Sequence, residues 1–315
     1  MSKTPVIALV GGVASALLFV ALLFVPSPVT MLFIYMVPLP LFLVGLSQGL
    51  AAAAVAAGSA TLVAGGFGGL SLALIFGIAI PLPVLFVVRQ GLLSRPGSDG
   101  ATEWYPPGLL LGWLTAMAAA AIAVAVLVQW GSGTDMPDAI TARFQEGLAQ
   151  FQADPDTAMV AARLEMWVPV LANFLPAILA SVWLIVLSLN AIVAQGALVR
   201  GGHAKRPSPR LSTIEAPGWV MYALAAALVA WVTGLDGLEF LGQNLAIVLA
   251  IPFFFVGLAV VHSFARRFSG RAVILAAFYM ILILLGFLAM LPVTAIGFAE
   301  TWTQFRRRWA GAEPV

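Results

Sequence analysis

Three asparagines are the residues of this sequence best suited to binding a solute. Asn173, Asn190 and Asn244 lie in long apolar stretches, where a polar group is costly unless it is paired or hydrated. Each amide offers donors and an acceptor, so it can bind a neutral or zwitterionic solute or, alternatively, the backbone of a neighbouring helix. With Trp183, which lies in the same stretch as the first two, they form the predicted substrate-binding set: Asn173, Trp183, Asn190 and Asn244.

Residue types for catalysis, metal binding or phosphate chemistry form no recognisable pattern. The chain has no cysteine and two histidines, His203 and His262, so thiolate chemistry and a histidine-rich metal site are excluded. The glycine clusters lack the Lys-Ser/Thr pair of a P-loop. His262 beside Ser263, at the end of a span, is interpreted as an interfacial residue. We therefore expect no enzyme activity, no catalytic residue, no metal and no cofactor.

The elements that carry these residues are apolar stretches of about 18 residues or more, long enough to cross a bilayer. Hydrophobic residues make up 62% of the 315 and charged residues 9%. Because a helix satisfies its own backbone polar groups in lipid, the sequence predicts an all-α fold, a polytopic transmembrane helical bundle of about eight or nine spans. The candidate spans are 6–25, 29–46, 48–65, 69–88, 108–129, 167–197, 217–234, 243–263 and 272–298.

Positive charges orient the chain, because Lys and Arg in short loops are retained on the cytoplasmic side. Basic residues follow the fourth, sixth and eighth candidate spans, and this alternation predicts a cytoplasmic N-terminus. The tail conflicts with it, since a ninth full span would place Arg306, Arg307 and Arg308 outside. Either one C-terminal element is re-entrant or the tail breaks the rule. The net charge of +2 gives little support to nucleic-acid binding.

Two polar segments divide the chain. Residues 131–166 hold six acidic residues against two arginines and are predicted to be an extracytoplasmic loop. Apolar residues at helical spacing over 137–152 predict an amphipathic helix resting on the membrane or the bundle, with a substrate lid as the alternative. The predicted domains are a six-span bundle over 1–198, a basic cytoplasmic linker over 199–216, and C-terminal spans with a basic tail over 217–315.

Small residues and proline pairs mark packing features. Ala8, Gly12 and Ala16 are spaced by four and share one helix face, where another backbone can approach closely. We predict that this stripe docks a helix, either of the same chain or of a separate membrane partner. Pro38-Leu39-Pro40 resembles Pro81-Leu82-Pro83, and each proline pair is expected either to break a membrane helix or to begin one.

Several motifs resemble the YybS-like family of uncharacterised bacterial membrane proteins. They are Ser188-Leu189-Asn190 leading to Arg200, the following Pro209, Pro217-Gly218-Trp219, Asn244, Phe255-Val256-Gly257-Leu258-Ala259-Val260 and the Phe305-Arg306-Arg307 tail. Glu300 stands where related tails often carry an Asp. In its first six helices this family is similar to the substrate-capture (S) subunits of energy-coupling-factor vitamin transporters. The resemblance implies that Ala8, Gly12 and Ala16 dock an energising membrane partner, and that residues 131–166 lie over an outward-opening solute pocket.

The residues and the resemblance together predict a transporter-like protein of the bacterial cytoplasmic (inner) membrane, multi-pass and integral. It would capture a small solute or serve as one subunit of an uptake complex. The alternative is a non-transporting membrane scaffold or assembly factor. The expected partners are the lipid bilayer, a membrane protein that contacts the small-residue faces, and a small-molecule solute, with no nucleic acid.

Overall fold

The computed structural model describes residues 3–25, 27–97, 100–152, 155–209 and 214–310. Two short strands pair antiparallel, with Ser94 opposite Trp104. Helices make up nearly all the rest, so the all-α fold class is confirmed. In chain order the elements are α1 (Thr4–Phe24), α2 (Pro28–Ile34), α3 (Pro38–Gln48), α4 (Leu50–Ala79), α5 (Pro81–Gly91), β1 (Ser94–Pro96), β2 (Thr102–Trp104), α6 (Pro107–Gly131), α7 (Met136–Gln152), α8 (Pro155–Glu165), α9 (Val168–Arg200), α10 (Gly218–Val232), α11 (Asp236–Ala265), α12 (Arg271–Leu285), α13 (Phe287–Thr303) and α14 (Phe305–Ala310).

Within the described residues, six helical segments are long and apolar enough to cross a membrane. Three shorter apolar helices, α10, α12 and α13, follow in the C-terminal third. This is the polytopic bundle that the apolar stretches predict. The amphipathic helix expected over 137–152 is present as α7. The six segments are Thr4–Phe24, Pro28–Gln48, Leu50–Gly91, Pro107–Gly131, Val168–Arg200 and Gly237–Ala265.

Glycine and proline interrupt the apolar stretches. Gly69, at a φ of +70°, reverses the chain inside α4, and a Cβ added at Gly65 would lie 3.0 Å from the Cβ of Ala73. The third and fourth predicted spans therefore pack against each other as a hairpin. Gly286, at a φ of +52°, separates α12 from α13 and divides the stretch predicted as one span over 272–298.

The two proline pairs begin helices. Pro38 is the first residue of α3 and Pro81 is the first residue of α5, and both helices are 11 residues long. Proline is favoured in the first turn of a helix, where its missing N–H costs nothing. The second and fourth predicted spans are consequently interrupted at corresponding points.

Contacts divide the chain into two compact units, of which the first comprises residues 1–114 and 185–214. In this unit α1 packs along α4 through its small residues. Ala8 and Ala16 are 1% and 0% exposed, and a Cβ added at Gly12 would overlap the Oγ of Ser59 and the carbonyl of Ala56. Such an approach of side chain and backbone requires glycine at position 12.

The second unit comprises residues 115–184 and 215–315. α13 packs on α11 at two glycines, since a Cβ at Gly257 would overlap the carbonyl of Val293 and one at Gly297 that of Phe253. α7 and α8 share a small cluster that contains Leu148 and Ala161. A larger cluster lies between α10 and α11 and contains Val220, Ala227, Ala246, Leu249 and Phe253.

Candidate functional site

The amide of Asn244 is inserted into a break in α9. Its Oδ1 accepts a hydrogen bond from the N–H of Ala177 at 2.9 Å, and its Nδ2 donates to the carbonyls of Asn173 and Phe240, each at 2.9 Å. In an uninterrupted α-helix the N–H of Ala177 would donate to the carbonyl of Asn173. The Asn244 side chain of α11 therefore bridges these two backbone groups of α9, which do not bond to each other. Asn244 is 0% exposed.

Pro176 explains why α9 opens here. It lies inside the helix, has no N–H, and its ring clashes with the preceding turn. Backbone groups that a proline frees inside a membrane helix must be paired by neighbouring helices. Gln243 adds a second such bond, because its Nε2 donates to the carbonyl of Asn173 at 3.0 Å. α11 thus presents two consecutive side-chain amides to one opening in α9.

Asn190 pairs a backbone carbonyl in the break between α2 and α3, as Asn244 does in α9. Its Nδ2 donates to the carbonyl of Tyr35 at 2.8 Å and to that of Val186, in its own helix, at 2.7 Å. Ser15 of α1 donates to the carbonyl of Val37 at 2.7 Å. Both side chains are buried. Two carbonyls in the break before α3 are thereby paired by other helices of the first unit.

The structure brings two of the four predicted substrate-binding residues together. Asn173 and Asn244 meet at the α9 opening, but Asn173 takes part through its main-chain carbonyl. The side chain of Asn173 is exposed and donates to the carbonyl of Pro169 at 2.8 Å. Asn190 lies at the other break, in the first unit, and Trp183 is half-buried farther along α9.

Two residues of the opening were missing from the predicted set. Pro176 could have been identified, because a proline inside an apolar stretch signals an interrupted helix. Gln243 had a weaker signal, its position next to Asn244 at the start of a span. Which carbonyl each amide would reach had no signal in the sequence, since the partners lie about 70 positions away.

A small cleft lies one turn of α11 before Asn244, and α11 forms part of its wall. It has a volume of about 60 Å³ and lies where the end of α6 meets the starts of α7 and α11. Phe240 links the two features, because it lines the cleft and its carbonyl accepts a hydrogen bond from Asn244. The polar opening in α9 and the cleft are therefore neighbouring parts of one region of the second unit.

The small-residue stripe of α1 is occupied by the chain itself. Ala8, Gly12 and Ala16 are all buried, and Gly12 contacts Ala56 and Ser59 of α4. Of the two alternatives for this stripe, the contacts show packing within the chain. A separate partner helix could dock on the same face only if α4 were displaced.

Arg206 fixes the basic linker to the end of α5. Its Nη1 donates to the carbonyl of Gly91 at 2.7 Å, and its guanidinium lies 5.6 Å from the ring centre of Trp104. Burial lowers the pKa of Arg206, yet a guanidinium stays protonated in proteins. A cation is favourable at the C-terminal end of a helix, where the backbone carbonyls are unpaired. The linker is therefore held by its own arginine.

The C-terminal tail returns to the end of this linker. Gln304, at a φ of +49°, ends α13, and the Nη2 of Arg307 lies 3.5 Å from an oxygen of Glu215. The Nε of Arg306 lies 2.8 Å from the buried carboxylate of Glu300. Residues this close lie on the same side of a bilayer, so the contacts favour a re-entrant C-terminal element over a ninth full crossing.

The second histidine is paired rather than clustered. The Nε2 of His262 lies 2.7 Å from the hydroxyl of Tyr279 in α12. In the part of the chain that the structure describes, no group of three or more His, Cys, Asp or Glu side chains could hold a metal ion. That the chain is not an enzyme stays a prediction.

Comparison with known proteins identifies one family. The family model DUF2232, described as a predicted membrane protein, matches residues 13–301. The match runs from α1 to the last turn of α13. No curated protein and no solved structure matches the chain.

Proposed function

The chain belongs to the DUF2232 family of predicted membrane proteins, and from this premise we propose that it captures a small solute, alone or as one subunit of an uptake complex. The proposed site is the opening in α9, where Asn173, Gln243 and Asn244 meet. Asn190 and Trp183 stay in the proposal as residues of the same long helix. A location in the bacterial inner membrane with a cytoplasmic N-terminus, and a likeness of the first six helices to S subunits, are parts of the same proposal.

One observation carries it: inside a candidate membrane span, a side chain of α11 stands in for a backbone hydrogen bond of α9. Interrupted helices supply the donors and acceptors of many transporter sites. A solute with its own donor and acceptor can replace the Asn244 amide and bond to the carbonyl of Asn173 and the N–H of Ala177. The opening therefore suits neutral or zwitterionic solutes.

The proposal is tested by native mass spectrometry of the full chain, released from the membrane with a mild detergent. We expect a fraction of the protein to carry a small organic molecule, lost at higher collision energy. The bare chain alone, in repeated preparations from cells grown on rich medium, would overturn the proposal. A co-purifying ATPase module with the retained molecule would identify an uptake complex.

A second candidate function, a membrane scaffold or assembly factor, is supported by α12. None of its residues is buried, and Ile283 and Leu284 are each 81% exposed. A helix that is apolar on every face and unburied by its own chain can contact lipid or another membrane protein. A stable membrane-protein partner without any small-molecule adduct in the same spectra would favour this function.

A further inference from the structure

The cleft beside the α9 opening combines a carboxylate, an aromatic ring and apolar walls. We propose that it binds the alkylammonium head group of the captured solute. This inference rests on the proposed function and adds the chemical class of the solute. The residues that carry it are Trp130, Asp135, Gly237 and Phe240.

Its size selects a head group rather than a whole organic solute. The volume is about 60 Å³, far below the roughly 300–1,000 Å³ of pockets that enclose drug-sized ligands. A water-sized group needs roughly 10–15 Å³ of such space. The cleft therefore admits on the order of four to six water-sized groups, which suits the nitrogen and three methyl groups of a trimethylammonium.

Its charge selects a cation. Asp135 is the charged residue of the lining, and no basic side chain of the described residues lies within ion-pair distance of it. Clefts lined by one sign of charge concentrate ions of the opposite sign.

Its walls select an organic cation over a metal ion. Trp130 contributes an aromatic residue to the lining, and Val126, Met136 and Phe240 are apolar. A ring face attracts an alkylated ammonium through its quadrupole, whereas Ca²⁺ and Mg²⁺ require several oxygen ligands. Gly237 makes this wall possible, since a Cβ there would overlap the Trp130 ring.

The position of the cleft connects it with the proposed solute site. The carbonyl of Phe240 accepts the hydrogen bond from Asn244, so the cleft and the α9 opening are one helical turn apart. A solute with an ammonium group at one end and a polar group at the other can occupy both. The cleft binds its cationic end.

The test is equilibrium dialysis of choline against the full chain in nanodiscs, with dimethylbutanol, its neutral carbon analogue, as the competing probe. We expect choline to bind and the analogue not to bind.

Asp135→Asn should weaken choline binding about tenfold or more, because it removes the charge partner. Asp135 directly precedes α7, and Asn is as favourable as Asp at that position, so we expect the substitution to preserve α7. The matched control Asp138→Asn removes the same charge outside the lining and should leave binding within about twofold.

A second variant tests the aromatic wall without touching the charge. Gly237→Ala displaces the Trp130 ring and should also weaken choline binding. The inference is overturned if wild type does not bind choline, if both probes bind equally, or if Asp135→Asn and Asp138→Asn bind alike. Should choline fail while native mass spectra still show a retained molecule, the head-group site is refuted and solute capture stands. A bare chain in those spectra would refute both.

Discussion

Asn244 forms three hydrogen bonds with one side chain, two of them to α9. Such a side chain stabilises a packed interior, and in the proposed function it also marks the place where a solute would pair with the backbone of α9. Its energetic role can be measured separately from solute binding. The neighbouring Asn173 provides the comparison, because its side chain makes its hydrogen bond within its own helix.

We expect Asn244→Leu to lower the free energy of unfolding by about 1–3 kcal/mol, since the N–H of Ala177 would be left buried without its partner. Asn173→Ala should change it by less than about 0.5 kcal/mol, because an exposed side chain is removed. Unfolding in mixed micelles, followed by circular dichroism, measures both. Equal effects of the two substitutions would contradict the bridging role of Asn244.

Gly12 gives a second prediction at this scale. Gly12→Leu should destabilise the protein by about 1–3 kcal/mol or more, because the added side chain would overlap α4. The control is Gly58→Leu, where a Cβ meets nothing within 4 Å and the new side chain faces open space. Thermal unfolding in detergent compares the two variants. If Gly12→Leu were as stable as Gly58→Leu, the packing of α1 on α4 would be wrong.

At the scale of single residues, the sequence identified which polar groups matter but not what they contact. Asn190 and Asn244 were predicted because amides are costly in apolar stretches, and helix backbone was one of their two expected partners. The stripe of Ala8, Gly12 and Ala16 was recognisable from its spacing, while its partner α4 was not. Spacing along one helix reports a face, and the element opposite that face is set by the fold.

Among the elements, the interrupted helices are the informative ones. Pro38 and Pro81 were predicted to break or to begin a helix, and each begins one. Gly69 lies at the predicted boundary of the third and fourth spans. Gly286 was not predicted as a break, because one span was placed over 272–298, yet it separates α12 from α13. Pro176 acts differently, because α9 continues on both sides of it. The hydrogen bonds from Asn244 bridge the opening, and α9 continues as one helix across it.

The C-terminal elements give a topological prediction. Because Arg307 contacts Glu215, residues of the linker and of the tail should lie on the same side of the membrane. The chain has no cysteine, so Ser208→Cys and Arg308→Cys can each be labelled as the single thiol. A membrane-impermeant maleimide, added to intact vesicles before and after permeabilisation, should label both variants under the same condition.

The unsubstituted, cysteine-free chain is the control for this labelling. Accessibility of the two positions from opposite sides would show that the region between them crosses the membrane an odd number of times. The tail would then lie across the bilayer from the linker, and the contact between Arg307 and Glu215 would not exist in the membrane.

For the whole molecule, composition determined the class of protein and left the internal organisation open. The apolar stretches predicted an all-α polytopic bundle, which the structure confirms, and the family match agrees that the chain is a membrane protein. Two compact units, each with one break paired by an asparagine, had no counterpart in the sequence pattern, because their contacts join residues up to 155 positions apart. The predicted domains at 1–198, 199–216 and 217–315 stay a prediction.

The central claim is that Asn244 completes the opening in α9, and hydrogen–deuterium exchange over the whole chain tests it most directly. In the wild type, the amide of Ala177 should exchange as slowly as amides in the middle of the uninterrupted helix α1. In Asn244→Leu, exchange should accelerate at Ala177 while α1 remains protected, because one backbone group loses its partner. Unchanged slow exchange at Ala177 in the variant would contradict the claim.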